Sequence, residues 1–482
     1  MVFKSKHESL IAYFIGLLLC AVANLFAQAP DTVWTRTFGG SNSDEGRSVQ
    51  QTQDGGYIIC GYTRSYGAGY NDIYLIKTDE NGNQLWYKTF GGSLFDEGYS
   101  VQQTNDGGYI MTGYVGFEQL CLIKTDANGN QVWLKTFGGS GVDWGYSVQQ
   151  TQDGGYIIAG RTTSFGAGYY DVYIIKTDAD GNQLWYKTFG GSNYDDGRSI
   201  QQTQDGGYII AGSTLPPDSS NSRVYLIKTD SDGNLLWYKT FSGIRAAEGR
   251  SVQQTQDGGY IIAGTTYIQD QQYYLYLIKA DADGNQVWYK TYSGLAHAQG
   301  YSVRQTRDGG YIIAGVTAIS PPAVTGSAYL IKTDADGNQV WYKILGGSNT
   351  GSVGYSVQQT QDRGYIMAGS FTSTIWDVYL VKLSPSVEVE EDMPQFSFIS
   401  LDRTTLLCGQ SVMIKYQLPV KSSVKLSIYD LTGRLVGMLF EGIEETGYHS
   451  VRWNTNGMCS GIYFIKFSVN NYYEVKKIVL IK

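Results

Sequence analysis

"QTQDGGYIIAG", Gln150–Gly160, is written seven times with small changes. The other copies begin at Gln51, Gln103, Gln202, Gln254, Gln305 and Gln359. Each copy holds an Asp-Gly-Gly turn followed by a short run rich in Tyr and Ile, which has strand composition. Tryptophan marks the same repeat at Trp34, Trp86, Trp133, Trp185, Trp237, Trp288 and Trp341. The spacing is about 50 residues, the period of a propeller or another array.

One full unit runs from Tyr146 to Phe189. It contains four strand-like runs: SVQQT, YIIAG, VYIIKT and QLWYKTF. The first two are joined by Asp153-Gly154-Gly155. The last two are joined by Asp180-Gly181, a dipeptide that accepts the positive φ of a tight hairpin. Each unit therefore predicts two hairpins in one four-stranded antiparallel sheet. In the seventh copy Arg363 replaces the first glycine, so that turn is expected to be distorted.

The first three runs occur seven times, ending at Val378–Leu383. The fourth also occurs seven times, but its first copy, VWTRTF at Val33–Phe38, precedes any first run. An open solenoid has no reason to permute its ends in this way, whereas a ring has. The expectation is an all-β chain: a seven-bladed β-propeller over residues 31–384, closed by its N-terminal strand. Lysines along the outer strand, such as Lys135 and Lys187, would discourage edge pairing. The repeated glutamine pairs are read as repeated structure.

The flanks add a route out of the cell. Residues 1–29 carry Lys4 and Lys6, an apolar stretch and then small residues, the layout of a signal peptide. No other stretch is long and apolar enough to span a membrane. Net charge is −8 with no basic run, so nucleic acid is not an expected partner. Cys60 and Cys121 read as ordinary strand residues, and a Cys408–Cys459 bridge is left open. After an acidic linker over 385–395, residues 396–482 hold about seven alternating strands and predict a small Ig-like β-sandwich.

Two resemblances sharpen this. The pieces VKLSIYDLTGRLV (Val424–Val436), GYHSVRWN (Gly447–Asn454), SGIYFIKF (Ser460–Phe467) and the terminal KKIVLIK resemble the type IX secretion C-terminal sorting domain of Bacteroidetes-like bacteria. That resemblance implies export across the outer membrane by the type IX machinery. It also implies release or attachment at the cell surface. The repeats resemble quinoprotein-like and kelch-like propellers. KTDADGNQLW (Lys176–Trp185) looks like the tryptophan docking motif that locks neighbouring blades, a likeness that concerns blade packing and does not by itself imply a quinone cofactor.

Chemistry is sparse. His297 reads as a lone solvated loop residue, and no metal cluster, Ser-His-Asp set or phosphate loop is recognisable. No catalytic residue and no cofactor is expected. Calcium alone stays open, at the DADGN turns with Asp178, Asp180 and Asn182. Acidic residues that precede the innermost strand, among them Asp96, Asp143 and Asp195, could ring a channel mouth.

The turns inside the two hairpins hardly vary, but the connections on the opposite face do. Loops on a rigid scaffold are where binding concentrates. That face carries Trp144, Tyr169, Tyr170 and Tyr194, which with the three aspartates form the candidate site for a glycan or protein ligand. The expected function is a secreted or surface-held, non-catalytic binding and adhesion module. Two other readings stay beside it: a carbohydrate-active or quinone-dependent secreted enzyme, and a structural surface protein.

Overall fold

The computed structural model describes residues 28–268, 272–318, 326–346, 350–385, 400–401, 405–418, 421–445, 447–469 and 472–481. The expected signal peptide and acidic linker lie outside them apart from residues 28, 29 and 385. The chain divides into two compact units, Met1–Val387 and Glu388–Lys482.

Among the described residues both units are all-β. The first contains seven four-stranded antiparallel sheets, each of the kind that fits a propeller blade. The third sheet is typical: Asp143–Gln150, Tyr156–Thr162, Asp171–Thr177 and Gln183–Phe189 pair in chain order. Its second and third strands are buried almost throughout, because neighbouring sheets cover both of their faces. Such strands read as unbroken apolar runs. The outermost strand keeps one side in water. In the seventh sheet the fourth place is taken by Thr32–Phe38, which pairs antiparallel with Trp376–Leu383.

The repeated phrase is scaffold in detail. Asp153 Oδ2 lies 2.8 Å from Nζ of the buried Lys176, and Asp153 Oδ1 accepts from Gly155 N at 3.0 Å. This fastens the first hairpin to the third strand, and the same Lys–Asp pair recurs in all seven sheets. Gly154 sits at φ +85°, left-handed backbone that glycine adopts without a Cβ clash. Arg363 takes the same region at φ +65°, and its N–H still donates to Thr360 O at 3.0 Å. The seventh turn is therefore kept and not distorted.

Successive sheets are laced together through their first strands. Between the second and third, Val148 N donates to Ser100 Oγ at 3.3 Å and Gln150 N to Gln102 Oε1 at 2.6 Å. The seventh and first sheets share the same bonds: Val49 N to Ser356 Oγ at 3.3 Å, and Gln51 N to Gln358 Oε1 at 2.9 Å. On the outside, the ring of Trp133 lies against the Gly181 turn of the next sheet, where a Cβ would meet it at 2.8 Å. Trp34 meets Gly82 in the same way at 2.7 Å. The outer lysines bridge sheets as well as lining an edge: Lys135 Nζ donates to Asn182 Oδ1 at 3.2 Å.

In the second unit a three-stranded and a five-stranded sheet contribute to one apolar core that includes Val412, Ile414, Leu426, Trp453, Ile465 and Phe467. Cys408 and Cys459 are free thiols, so no bridge joins them.

Candidate functional site

Every first strand begins earlier than the SVQQT run suggests, and every one is bulged at the same place. In the third sheet the register skips between Gly145 and Ser147, leaving Tyr146 without a partner. A bulge of this kind re-aims a side chain. Gly160 is obligatory opposite it, since a Cβ there would lie 1.8 Å from Trp144 O. The seven bulged residues are Arg47, Tyr99, Tyr146, Arg198, Arg250, Tyr301 and Tyr355, and together they line one cavity of about 120 Å³.

The three arginines of this ring are neutralised within their own strands. Arg47 lies 3.0 Å from Glu45, Arg198 2.7 Å from Asp196, and Arg250 2.9 Å from Glu248. Each also covers a tyrosine of an adjacent sheet: Arg47 over Tyr355 at 4.9 Å, Arg198 over Tyr146 at 4.2 Å, Arg250 over Tyr301 at 4.9 Å. Burial works against the Arg47 and Arg198 charges. Glu45 and Asp196, together with the surrounding tyrosines and the further carboxylates Glu97 and Glu248, outweigh it and hold both guanidinium groups above their ordinary pKa.

Above this ring the variable connections of neighbouring sheets touch. Tyr170 and Tyr194 form a parallel bridge, and the rings of Tyr169 and Tyr194 stack with centroids 5.2 Å apart. Both rings stay largely in solvent, at 67% and 53% exposure. Arg161 lies 4.2 Å from the Trp144 ring and 4.3 Å from the Tyr170 ring. A groove of about 310 Å³ opens beside them, bordered by Arg161, Tyr170, Tyr194, Asp196, Arg198 and Glu248. Of the four aromatic residues expected from sequence, Trp144 and Tyr170 thus lie against Arg161, and Tyr169 joins them through its stack with Tyr194 beside Tyr170. Arg161 was not picked, although it is the one arginine after the repeated YIIAG-type run.

The three aspartates are placed differently. Asp96 accepts from Gly92 N at 2.8 Å and Gly116 N at 2.9 Å. Asp143 accepts from Gly139 N at 2.9 Å, from Ser164 Oγ at 2.6 Å and from the Thr162 hydroxyl. Both are buried and hold loop backbone in place. Asp195 accepts from Gly191 N at 2.8 Å and forms part of the groove wall, with burial, then Asp171 and Asp196, pushing its carboxyl pKa up. Glu45, Asp196 and Glu248 instead pair with the ring arginines Arg47, Arg198 and Arg250.

Deeper in, the first strands of all seven sheets line a further cavity of about 230 Å³. Its walls are serine, valine or isoleucine, and glutamine, with Arg304 standing where the other six strands have glutamine.

His297 is not a solvated loop residue. It opens the strand His297–Gln305, is buried, and lies against Tyr273 with centroids 5.2 Å apart. At the DADGN turn Asp178 Oδ1 accepts from Asp180 N at 3.0 Å and Asn182 N at 2.8 Å, while Oδ2 accepts from Asn182 Nδ2 at 2.9 Å. The hairpin itself thus uses these oxygens. Among the described residues no group of three or more His, Cys, Asp or Glu is placed to hold a metal ion. Among the described residues there is no helix long and apolar enough to cross a membrane.

An all-β array of blade-like sheets, with loops on one face and a separate β unit at its end, defines a repeat scaffold carrying an accessory domain. The profile of holdfast attachment protein D matches residues 115–375, more than half of the chain, and the chain belongs to that family. Residues 409–482 match the secretion system C-terminal sorting domain, so the protein is sent to the cell surface or the extracellular space. Together they mark a secreted surface protein of adhesion type that the secretion machinery handles through its tail.

No curated protein matches the chain. Similar solved structures include PorZ, described as an essential surface component of the type IX secretion system of Porphyromonas gingivalis, at 13% identity and TM-score 0.43. That match covers 94% of this chain, which spans 61% of the PorZ chain. A fungal alcohol oxidase of the AA5 family, in complex with copper, is 11% identical at TM-score 0.47, covering 94% of this chain and 100% of its own. Sqt1 from Chaetomium thermophilum is 9% identical at TM-score 0.43, with 94% and 99% covered. At these scores the likenesses carry no argument about mechanism.

Proposed function

We propose that the chain is a non-catalytic surface adhesin that holds a glycan on its variable loop face, in the groove beside Arg161. The observation that carries this is the exposed Tyr169–Tyr194 stack next to the groove. Aromatic faces take the apolar faces of sugar rings, and a few convergent polar groups fix their hydroxyls. Arg161, Asp196, Arg198 and Glu248 supply both donors and acceptors there.

The scaffold reading that goes with this is a closed seven-bladed propeller over residues 31–384 and an Ig-like sandwich over 396–482. Bonds between the seventh and first sheets like those between consecutive sheets support closure. A ring makes the loop face rigid, which keeps the aromatic groups in place before ligand arrives.

The test is a glycan-array screen of the full chain beside Tyr169→Ala/Tyr194→Ala. Binding to one glycan class that the double variant loses supports the reading. Binding that both proteins share moves the site off this face, and no binding to any glycan abandons a sugar ligand.

A further inference from the structure

We propose that the inner cavity is a binding site for a small oxyanion, held by Arg304 and a ring of glutamine amide N–H groups. This site is separate from the loop-face groove and does not depend on what binds there.

The glutamines come first. Gln50, Gln102, Gln149, Gln201, Gln253 and Gln358 line the cavity. In each, Oε1 accepts the backbone N–H of a residue in the next sheet, at 2.6–2.9 Å. A backbone N–H can only donate, so the amide orientation is fixed. What each side chain has left to offer is the two donors of its NH₂ group and one lone pair on Oε1. Among the described residues the hydrogen bonds of these six side chains run only through Oε1, and none leaves an NH₂ group. The repeat therefore builds a collar of donors around the cavity.

Arg304 replaces the seventh glutamine of this collar. Its Nη1 donates to Val303 O at 3.0 Å, which uses one of its five donors. No Asp or Glu lines the cavity. In this respect it differs from Arg47, Arg198 and Arg250, each of which has its own carboxylate. Burial pulls the Arg304 pKa below its ordinary value, and no neighbouring charge opposes that pull. Arg304 is half-buried and lines a cavity that water can enter, so its charge has no carboxylate partner and an anion can reach it. A guanidinium beside several amide donors suits an oxygen anion, whose lone pairs accept from both. A cavity of about 230 Å³ has room for such an ion with several waters.

The test uses the full chain and Arg304→Gln, which restores the residue of the other six sheets. Both are melted in a zwitterionic buffer across a sodium sulfate series and, separately, a sodium acetate series. A ligand that binds only the folded state raises the melting midpoint with its concentration. The expected result is a midpoint that climbs by several degrees in the wild type, rising with the logarithm of the anion concentration once that exceeds the dissociation constant. Arg304→Gln should show only the shallow response that any salt produces. A larger rise with sulfate identifies an inorganic-type oxyanion, and a larger rise with acetate identifies a carboxylate. Parallel curves for the two proteins in both series overturn the proposal. If Arg304→Gln fails to fold, Arg304→Lys decides. It keeps the charge with fewer donors, so the concentration at which the rise sets in should increase several-fold, and an unchanged onset overturns the proposal.

Discussion

The backbone N–H of Gln51 donates to Oε1 of Gln358 at 2.9 Å, across 307 residues of chain. This bond joins the first inner strand to the last, and Trp34 does the same on the outside by lying against the Gly82 turn. The half-buried Trp34 also meets Tyr57 edge-on at 5.8 Å. Removing its ring should therefore weaken the joint between the two ends. Trp34→Ala is expected to lower unfolding stability by about 2 kcal/mol, less than a fully buried tryptophan would cost. Val33→Ala, in the same strand but 57% exposed, should change it by less than ~0.5 kcal/mol. Urea unfolding of both variants measures the difference. Equal small losses would show that the N-terminal strand does not hold the ends together.

Acid should unfold the repeat unit early. Asp54, Asp106, Asp153, Asp205, Asp257, Asp308 and Asp362 each face a buried lysine, and each has its carboxyl pKa lowered. For Asp106, burial alone would raise it, but hydrogen bonds from Lys124, Thr104 and Gly108 bring it down to about 2. A folded pKa below the unfolded one means stability that is present above about pH 4 and lost as pH falls towards 2. The melting midpoint should drop steeply over that window. Asp106→Asn should be less stable at pH 7, because Lys124 loses its counter-charge, and should converge on the wild type near pH 2. A constant gap between the two proteins at every pH would contradict this.

Arg363 is the one non-glycine at its turn position, at φ +65°, where the other six copies have glycine between +82° and +85°. Left-handed backbone costs an L-residue about 1 kcal/mol or more, while glycine loses more entropy on folding. The balance favours Arg363→Gly by roughly 0.5 kcal/mol. A calorimetric midpoint raised by one or two degrees is the expected outcome. A fall would mean that the arginine side chain makes contacts worth more than the backbone strain.

The scaffold was legible because each turn carries its own chemistry. Asp-Gly pairs set the hairpins, and the displaced Trp34 strand told which ends meet. The binding groups were harder to read. Trp144, Tyr170 and Tyr194 stood out as aromatic residues in variable loops, but the arginine that organises them sits inside a repeated strand. Arg161 follows the phrase at a position that differs between copies, and Arg304 is a single change in the run before it, so neither breaks the repeat. The bulge was hidden for another reason. Its signal is a glycine before SVQQT, and nothing in the spacing says that the residue between will point into a cavity. Nor does sequence say which of two adjacent acids is buried: Asp195 holds backbone while Asp196 reaches Arg198.

That last distinction separates scaffold from contact on the loop face. Asp143 satisfies the Gly139 amide and the hydroxyls of Thr162 and Ser164 from a buried position. Asp143→Ala leaves those donors without an acceptor, which costs about 1–3 kcal/mol. Tyr194 is 53% exposed and gives up little packing, so Tyr194→Ala should leave stability within about 0.5 kcal/mol. If the groove binds ligand, the two substitutions should fail in different ways. Tyr194→Ala should lose affinity at an unchanged melting midpoint. Asp143→Ala should lose stability, and affinity only as its loops loosen. Measuring midpoint and ligand affinity on the same samples tests this. A Tyr194→Ala protein that keeps full affinity would remove the aromatic stack from the site.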